Sequence, residues 1–314
     1  MITVLKPGLL TTVQDAGRRG YRAFGMPLAG AMDEEAYAIA NLLAGNAAGE
    51  AALEMTLLGA TLRFERDAFV GLFGADMQAK LGGSPVRNGT GFPVPAGADL
   101  ALGSAAAGCR AYLAVRGGLD VPVVLGSRST YTRAGVGGHQ GRALRAGDVL
   151  AFVPPRRRSP APRAVPEQLL PGPQRSLELR VLLGPQDDLF LEEGLRAFLG
   201  NEYQVSNRND RMGYQLDGPP IRHRAGADIV SDAICPGAVQ VPGRGTPIVM
   251  MADCQTTGGY AKIATVIGPD LGRLAQARFG DSVRFVACTD EEAVAALRAR
   301  RDRLRDLERR MTAR

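Results

Sequence analysis

Between Met251 and Ile267 the chain reads MADCQTTGGYAKIATVI. Asp253, Gln255, Thr256, Thr257, Gly258, Gly259 and Lys262 stand between two apolar runs, Pro247 to Met251 and Ile263 to Ile267, which read as short buried strands. A carboxylate, an amide, hydroxyls, a glycine pair and an ammonium are parts of a site for a small polar molecule. Glycine lets backbone N–H groups approach a ligand, and hydroxyls and amides add directed donors. The plainer alternative is a polar connection with Gly258-Gly259 as its turn. Of the 38 basic residues only Lys6, Lys80 and Lys262 are lysine. Lys262 therefore places a compact ammonium, whose pKa shifts readily, where the chain habitually uses a planar guanidinium.

Further turns have the same character. TVQDAGRRGYRAFGMPLAGAMD (Thr12 to Asp33) offers Asp15 and Arg18, LGSRSTYTRAG (Leu125 to Gly135) offers Ser127, Ser129 and Thr130, and SNRNDRMGYQL (Ser206 to Leu216) offers Asp210 and Arg211. Together these turns resemble the polar rim of a small-molecule site. No G-x-x-x-x-G-K-[ST] loop and no G-x-S-x-G elbow is present, and GLFGADMQAKLGG (Gly71 to Gly83) lacks the lysine-hydroxyl ending. Ser127 and Ser129 have only His139 as a candidate base. Cys109, Cys235, Cys254 and Cys288 are widely spaced, with His139 and His223 the sole histidines, so no metal site is expected and the thiols read as free.

The elements that must position these residues are short. Glycine (40) and proline (20) are abundant and aromatics make up 5%, which points to a mainly β fold with a few helices. The formal charge is +6, but the basic excess lies mostly in a linker and the tail and no nucleic-acid-binding motif accompanies it, so nucleic acid is not an expected partner. No signal peptide and no membrane-length apolar run is seen, and a soluble, cytoplasmic protein is the expectation.

Residues 1–153 form a first block with strand-like runs at ATLRFE, DAFVGLFG, RAYLAVRGG and DVLAFVP. One helix is expected from Met32 or Asp33 to Leu43, capped by Asp33 and stopped by Gly45. PPRRRSPAPRAVPEQLLPGP, residues 154–173, reads as an exposed linker without regular structure. Residues 174–288 form a second block: a strand at LELRVLLGP, a helix over 187–199, strand-turn-strand at DIVSDAICPGAVQVP, and a short helix over 270–278. LRAGDVLAFV (Leu144 to Val153) echoes ARFGDSVRFV (Ala277 to Val286), as two related β-barrels or coincidence would both allow. Residues 289–314 form an amphipathic C-terminal helix whose Val294, Leu297, Leu304, Leu307 and Met311 approach a heptad seam, for packing on its own domain or on a partner.

Four stretches, TVQDAGRRGYRAFGMPLAGAMD, LALGSAAAGCRAYLAVRGGLDVPVVLGSRST, NDRMGYQLDG and MADCQTTGGYAKIATVIGPDLGRLAQ, resemble the KipA family, also called allophanate hydrolase subunit 2, the biotin-dependent carboxyltransferase family and the C component of 5-oxoprolinase. The resemblance runs nearly to Phe285 and leaves out the linker and the tail. It implies a cyclophilin-like β-barrel architecture in two subdomains and a KipI-like partner, the B component of 5-oxoprolinase. In urea carboxylase a related pair of regions moves carboxyl from biotin to urea. In bacterial 5-oxoprolinase the pair works with a third protein, the A component, to open 5-oxoproline with ATP. No biotin-acceptor, biotin carboxylase or amidase region is recognisable, which favours one component of an ATP-dependent 5-oxoprolinase. The alternatives are carboxyl transfer from biotin to urea or another small amide, and a KipA-type antagonist of a kinase inhibitor.

On this reading the chemistry of the residues suggests roles. Thr256, Thr257 and the Gly258-Gly259 backbone would donate to an amide or carboxylate oxygen. Lys262 would hold a carboxylate or phosphate, and Asp253 would orient Lys262 or accept a proton. Asp210 and Arg211 would face the same cavity, Arg211 as a bidentate carboxylate clamp, unless they form a structural ion pair that closes a turn.

Overall fold

The computed structural model describes residues 1–47, 49–153, 161–172 and 175–312. The chain divides into two compact units: Met1–Arg19, Ala29–Pro173 and Asp302–Arg314 make up unit 1, and Gly20–Leu28 with Gln174–Arg301 make up unit 2. The units are thus not contiguous blocks: Gly20–Leu28 groups with the second and the end of the tail with the first.

Unit 1 is built on a seven-stranded and a six-stranded sheet. The expected runs lie in the strands Thr61–Phe64, Ala68–Asp76, Ala107–Val115 and Val149–Phe152. Val4, Leu62, Val70, Leu113 and Phe152 are among the buried side chains of its core. Helix α1, Glu34–Ala44, begins where the Asp33 carboxylate accepts from the Ala36 N–H (3.0 Å) and ends at Gly45 in the left-handed region (φ 74°). Its buried face is Ala36, Tyr37, Ile39, Ala40 and Leu43. The helix lies hard against the six-stranded sheet: a Cβ at Gly71 would fall 2.1 Å from the Ala40 carbonyl oxygen, and one at Gly91 2.3 Å from that of Leu43. Part of the expected linker, 154–160 and 173, lies outside the described residues. The remainder is not wholly irregular, because Arg163–Ala164 pairs antiparallel with Thr90–Gly91 and so extends the six-stranded sheet.

Unit 2 contains a closed barrel, in the order Ser176–Leu183, Lys262–Val266, Ala238–Gln240, Ile248–Met250, Gly213–Asp217, Glu202–Val205 and Ser282–Ala287. All neighbours are antiparallel except the closing pair, where the first and last of these strands run parallel with Leu179 opposite Phe285. The helix expected from Asp187 starts later. Asp187–Leu189 is a single 3-10 turn, Phe190 is extended and buried, and α2 runs Glu192–Gly200. Phe198 of α2 stacks on Phe285 at 4.4 Å between centroids. Helix α3, Gly268–Ala275, has Pro269 in its first turn, where a missing N–H leaves no intrahelical bond unmade. DIVSDAICPGAVQVP gives the strands Asp228–Ala233 and Ala238–Gln240, but they do not pair with each other. The second enters the barrel, whereas the first pairs with Thr257–Tyr260 in a separate two-stranded sheet.

Helix α4, Asp290–Thr312, opens on a capping box: the Glu292 N–H donates to Thr289 Oγ1 (3.3 Å) and the Thr289 N–H to Glu292 Oε2 (2.9 Å). Within unit 1, Leu304, Leu307 and Met311 pack in one apolar cluster with residues of α1, and Arg303 pairs with Glu35. Val294 and Leu297 of the same seam are exposed.

Candidate active site

In unit 1 the sequence-derived candidates converge on Asp15. Its carboxylate accepts from the Ser127 hydroxyl (2.7 Å), the Ser129 hydroxyl, the Arg128 N–H (2.5 Å) and the Gly17 N–H (2.9 Å). The Asp15 N–H in turn donates to Ser129 Oγ (3.0 Å). Thr130 Oγ1 donates to the Val13 carbonyl (2.9 Å), and the fully buried Arg18 donates to the carbonyls of Val124 (3.0 Å) and Ser129 (2.8 Å). Asp15, Arg18, Ser127, Ser129 and Thr130 therefore clasp the end of the strand Leu10–Gln14 to the 124–130 loop. Where the expectation has these residues line a ligand rim, the hydrogen bonds they make here run inside the fold. His139 does not serve the serines; its ring lies 3.4 Å from Asp148.

In unit 2, Arg211 and Asp253 form a bidentate pair, Nε to Oδ2 at 3.0 Å and Nη2 to Oδ1 at 2.9 Å, with both side chains buried. The Asp253 N–H also donates to the Arg211 carbonyl (2.9 Å). The fork expected to clamp a substrate carboxylate thus clamps Asp253. Asp210 closes its own turn by accepting from the N–H groups of Met212 (2.7 Å) and Gly213 (3.2 Å). Arg211 thus pairs with Asp253, and Asp210 with the backbone of its own turn.

Lys262 is buried at the start of its barrel strand, and its ammonium donates to Asp232 Oδ2 at 2.8 Å. Asp232, not Asp253, is its orienting carboxylate. Gln186 completes the group: its Oε1 accepts from the Lys262 N–H (3.1 Å), its Nε2 donates to Asp232 Oδ2 (3.2 Å), and its own N–H donates to the Lys262 carbonyl (3.1 Å). The Asp232 side chain is 50% exposed against 4% for Lys262, so the pair spans from interior to surface. The Lys262 ammonium, then the Ala233 N–H and Gln186, hold the Asp232 carboxyl below its ordinary range. The chemical capacity is that of a fixed cation with N–H bonds to spare beside an ionised carboxylate that water can reach, which suits stabilising a developing oxyanion and accepting a proton.

The connection from Asp253 to Lys262 is more regular than a loop. Thr257–Tyr260 forms a strand, with Gly258 opposite Asp232 and Thr257 opposite Ala233, so this ladder holds Asp232 in place. Gln255 and Thr256 precede that strand, and the Thr256 carbonyl accepts from the Ile234 N–H (2.9 Å). Sequence reasoning missed Gln186, in GPQDD at the end of a strand, and Asp232, in VSDA. Both had the polar strand-end signal that singled out the other turns. Among the described residues, no group of three or more His, Cys, Asp or Glu could hold a metal ion.

Residues 24–287 match the family described as carboxyltransferase domain, subdomain A and B. The chain is 42% identical over 308 residues to the C component of 5-oxoprolinase from Escherichia coli (strain K12), covering 98% of this chain and 97% of that protein. It is 39% identical over 294 residues to the protein of the same name in Haemophilus influenzae, covering 93% of each. Among solved structures, the K. lactis urea amidolyase superposes with a TM-score of 0.92 at 32% identity, over 98% of this chain and 20% of that one.

Proposed function

The chain belongs to the carboxyltransferase domain, subdomain A and B family, and from that premise we propose that it is the C component of an ATP-dependent 5-oxoprolinase. The observation that carries this reading is the end-to-end correspondence with the E. coli 5-oxoprolinase component, 98% of this chain against 97% of that one. The activity is ring opening of a cyclic amide to glutamate, coupled to ATP hydrolysis. It takes place in a complex with a KipI-like B component and a third protein, the A component. ATP is used by the assembled complex. No helix among the described residues is long and apolar enough to cross a membrane, and we place the complex in the cytoplasm.

Lys262 and Asp232 carry the chemistry on this reading. Opening a lactam puts negative charge on the amide oxygen, and a fixed ammonium in a poorly solvated position stabilises that charge more than water does. The Asp232 carboxylate, held ionised, takes a proton from the attacking water as the new C–O bond forms and passes it to the ring nitrogen as the C–N bond breaks, which leaves glutamate. Thr256, Thr257, Gly258 and Gly259 line the approach. The KipI-like protein completes the site. The test is to mix the purified chain with its B-type and A-type partners and measure glutamate from 5-oxoproline and ATP. A correctly assembled set that makes no glutamate overturns the reading. Full turnover by the isolated chain overturns the shared site.

A second reading is favoured by the superposition on urea amidolyase. It is transfer of a carboxyl group from biotin, carried on another protein, to a small amide. Binding of free biotin in calorimetry, together with failure of the glutamate assay, would select it.

A further inference from the structure

Two polar atoms around Ile234 in unit 2 are buried and unbonded. Arg22, carried in the Gly20–Leu28 segment, donates from Nη2 to the Ile234 carbonyl, and its Nη1 is buried with no hydrogen-bond partner. Arg22 forms no ion pair with any carboxylate among the described residues. The guanidinium does contact the Cys254 thiol, but burial pushes that thiol up to about 11, so at neutral pH it is uncharged and no counterion. Next in sequence, Gln255 has a buried Oε1 without a partner. The bonds from the Ile234 N–H to the Thr256 carbonyl (2.9 Å) and from the Cys254 N–H to the Met251 carbonyl (3.1 Å) fix this segment beside Ile234.

Glycine at 258 leaves the room these side chains occupy. A Cβ there would lie 2.4 Å from Ile234 Cδ1, 2.9 Å from Gln240 Nε2 and 3.5 Å from Gln255 Nε2. Ile234 thus has a guanidinium at its carbonyl and the two amides gathered with its side chain. An unsatisfied buried polar group is costly, and more so when charged, so an orphan donor and an orphan acceptor around one residue call for a ligand that completes both.

We propose that Arg22 and Gln255 form a two-point recognition site for a ligand carrying an anionic oxygen next to an N–H. Resting on the function proposed above, that ligand is 5-oxoproline, whose carboxylate is borne on the carbon bonded to the ring N–H. Arg22 takes the carboxylate, Gln255 Oε1 accepts from the ring N–H, and Lys262 is left for the ring carbonyl. Arg22 and Gln255 are then substrate-positioning residues that select an acidic lactam over a neutral one.

The experiment is calorimetry on the full chain with 5-oxoproline and with 2-pyrrolidinone, which keeps the ring amide but lacks the carboxylate. KM for 5-oxoproline in the assembled complex is measured alongside. Arg22→Ala should weaken 5-oxoproline binding about 10-fold or more and leave 2-pyrrolidinone unchanged, whereas Gln255→Leu should weaken both by about 5-fold, the range for losing one hydrogen bond. If Arg22→Ala does not fold, Arg22→Lys, which keeps the charge without the fork, should show a smaller loss for 5-oxoproline alone. Unchanged affinity and KM in folded variants of both residues, while the complex still makes glutamate, overturns this inference and leaves the functional reading standing. Neither binding nor glutamate formation overturns both.

Discussion

The Lys262 ammonium meets the Asp232 carboxylate at 2.8 Å across 30 residues of sequence, and the backbone of Lys262 is held on both sides by Gln186. In the assembled complex Lys262→Ala is expected to lower kcat/KM by about 10²–10³-fold, the usual effect of removing an oxyanion-stabilising group, and Lys262→Arg should not restore it. Asp232→Asn should lower kcat by about 10-fold or more, as for loss of a general base. Gel filtration must show the complex intact. Wild-type turnover by Lys262→Ala would remove Lys262 from the chemistry.

The Arg211–Asp253 pair should act on stability instead. Each partner is buried, so Arg211→Ala or Asp253→Ala strands a charge and is expected to cost about 3–5 kcal/mol in urea unfolding. Replacing both with apolar residues of similar volume should recover much of that loss. Additive losses in the double variant would show that the two residues act separately.

Acidification should expose Asp148. Hydrogen bonds from Arg142, at 2.7 and 2.8 Å, and from the Arg145 N–H hold its carboxyl well below the usual range. A depressed carboxyl stabilises the fold fully above its unfolded value of about 4, and that contribution is lost as the pH falls toward the folded value. Wild type should therefore exceed Asp148→Asn in stability at neutral pH, and the gap should narrow on descent below about pH 4. Chemical denaturation at a series of pH values reads this directly, and a gap that stays constant down to about pH 2 would contradict it.

Gly71→Ala tests the seating of α1. The new methyl would lie 2.1 Å from the Ala40 carbonyl oxygen, a backbone atom that cannot turn aside, so the helix must lift from the sheet. Overpacking of this kind costs about 1–3 kcal/mol, and thermal unfolding should show it. Gly82→Ala is no match as a control, because Gly82 has φ 54° and an added Cβ would bring backbone strain; Gly268, where a Cβ meets nothing within 4 Å, supplies the control for volume.

Local features were legible in the sequence and distant pairings were not. Asp33 and Gly45 bound α1 because caps act within a turn of their own position. The G-D echo reflects one turn built twice. Gly147 and Gly280 have φ 90° and 84°, and the carboxylates of Asp148 and Asp281 each accept at 2.7 Å from the N–H of the arginine three residues before. The following strands nevertheless pair differently, antiparallel with Ile2–Lys6 in one case and parallel with Ser176–Leu183 in the other. Asp253 and Lys262 stand in one polar stretch of sequence, which suggests that they pair. Arg211 claims Asp253 from another strand end, and Asp232 reaches Lys262 through a ladder whose register no local periodicity encodes. The same holds for Asp15, whose seryl partners come from beyond residue 120.

The barrel of unit 2 closes where Ser176–Leu183 meets Ser282–Ala287. Roughly a hundred residues must leave the ribosome after the first of these strands before its neighbour exists, and at translation speeds of about 5–20 residues per second the wait is on the order of 5–20 s. Both edges of the strand that carries Leu177, Leu179 and Val181 are bare until Lys262–Val266 emerges, and one stays bare until Ser282–Ala287 follows, an invitation to pair with another nascent chain. A transcript ending ahead of Ser282 makes that exposure permanent, so such fragments are expected in inclusion bodies even though most of their barrel strands are complete.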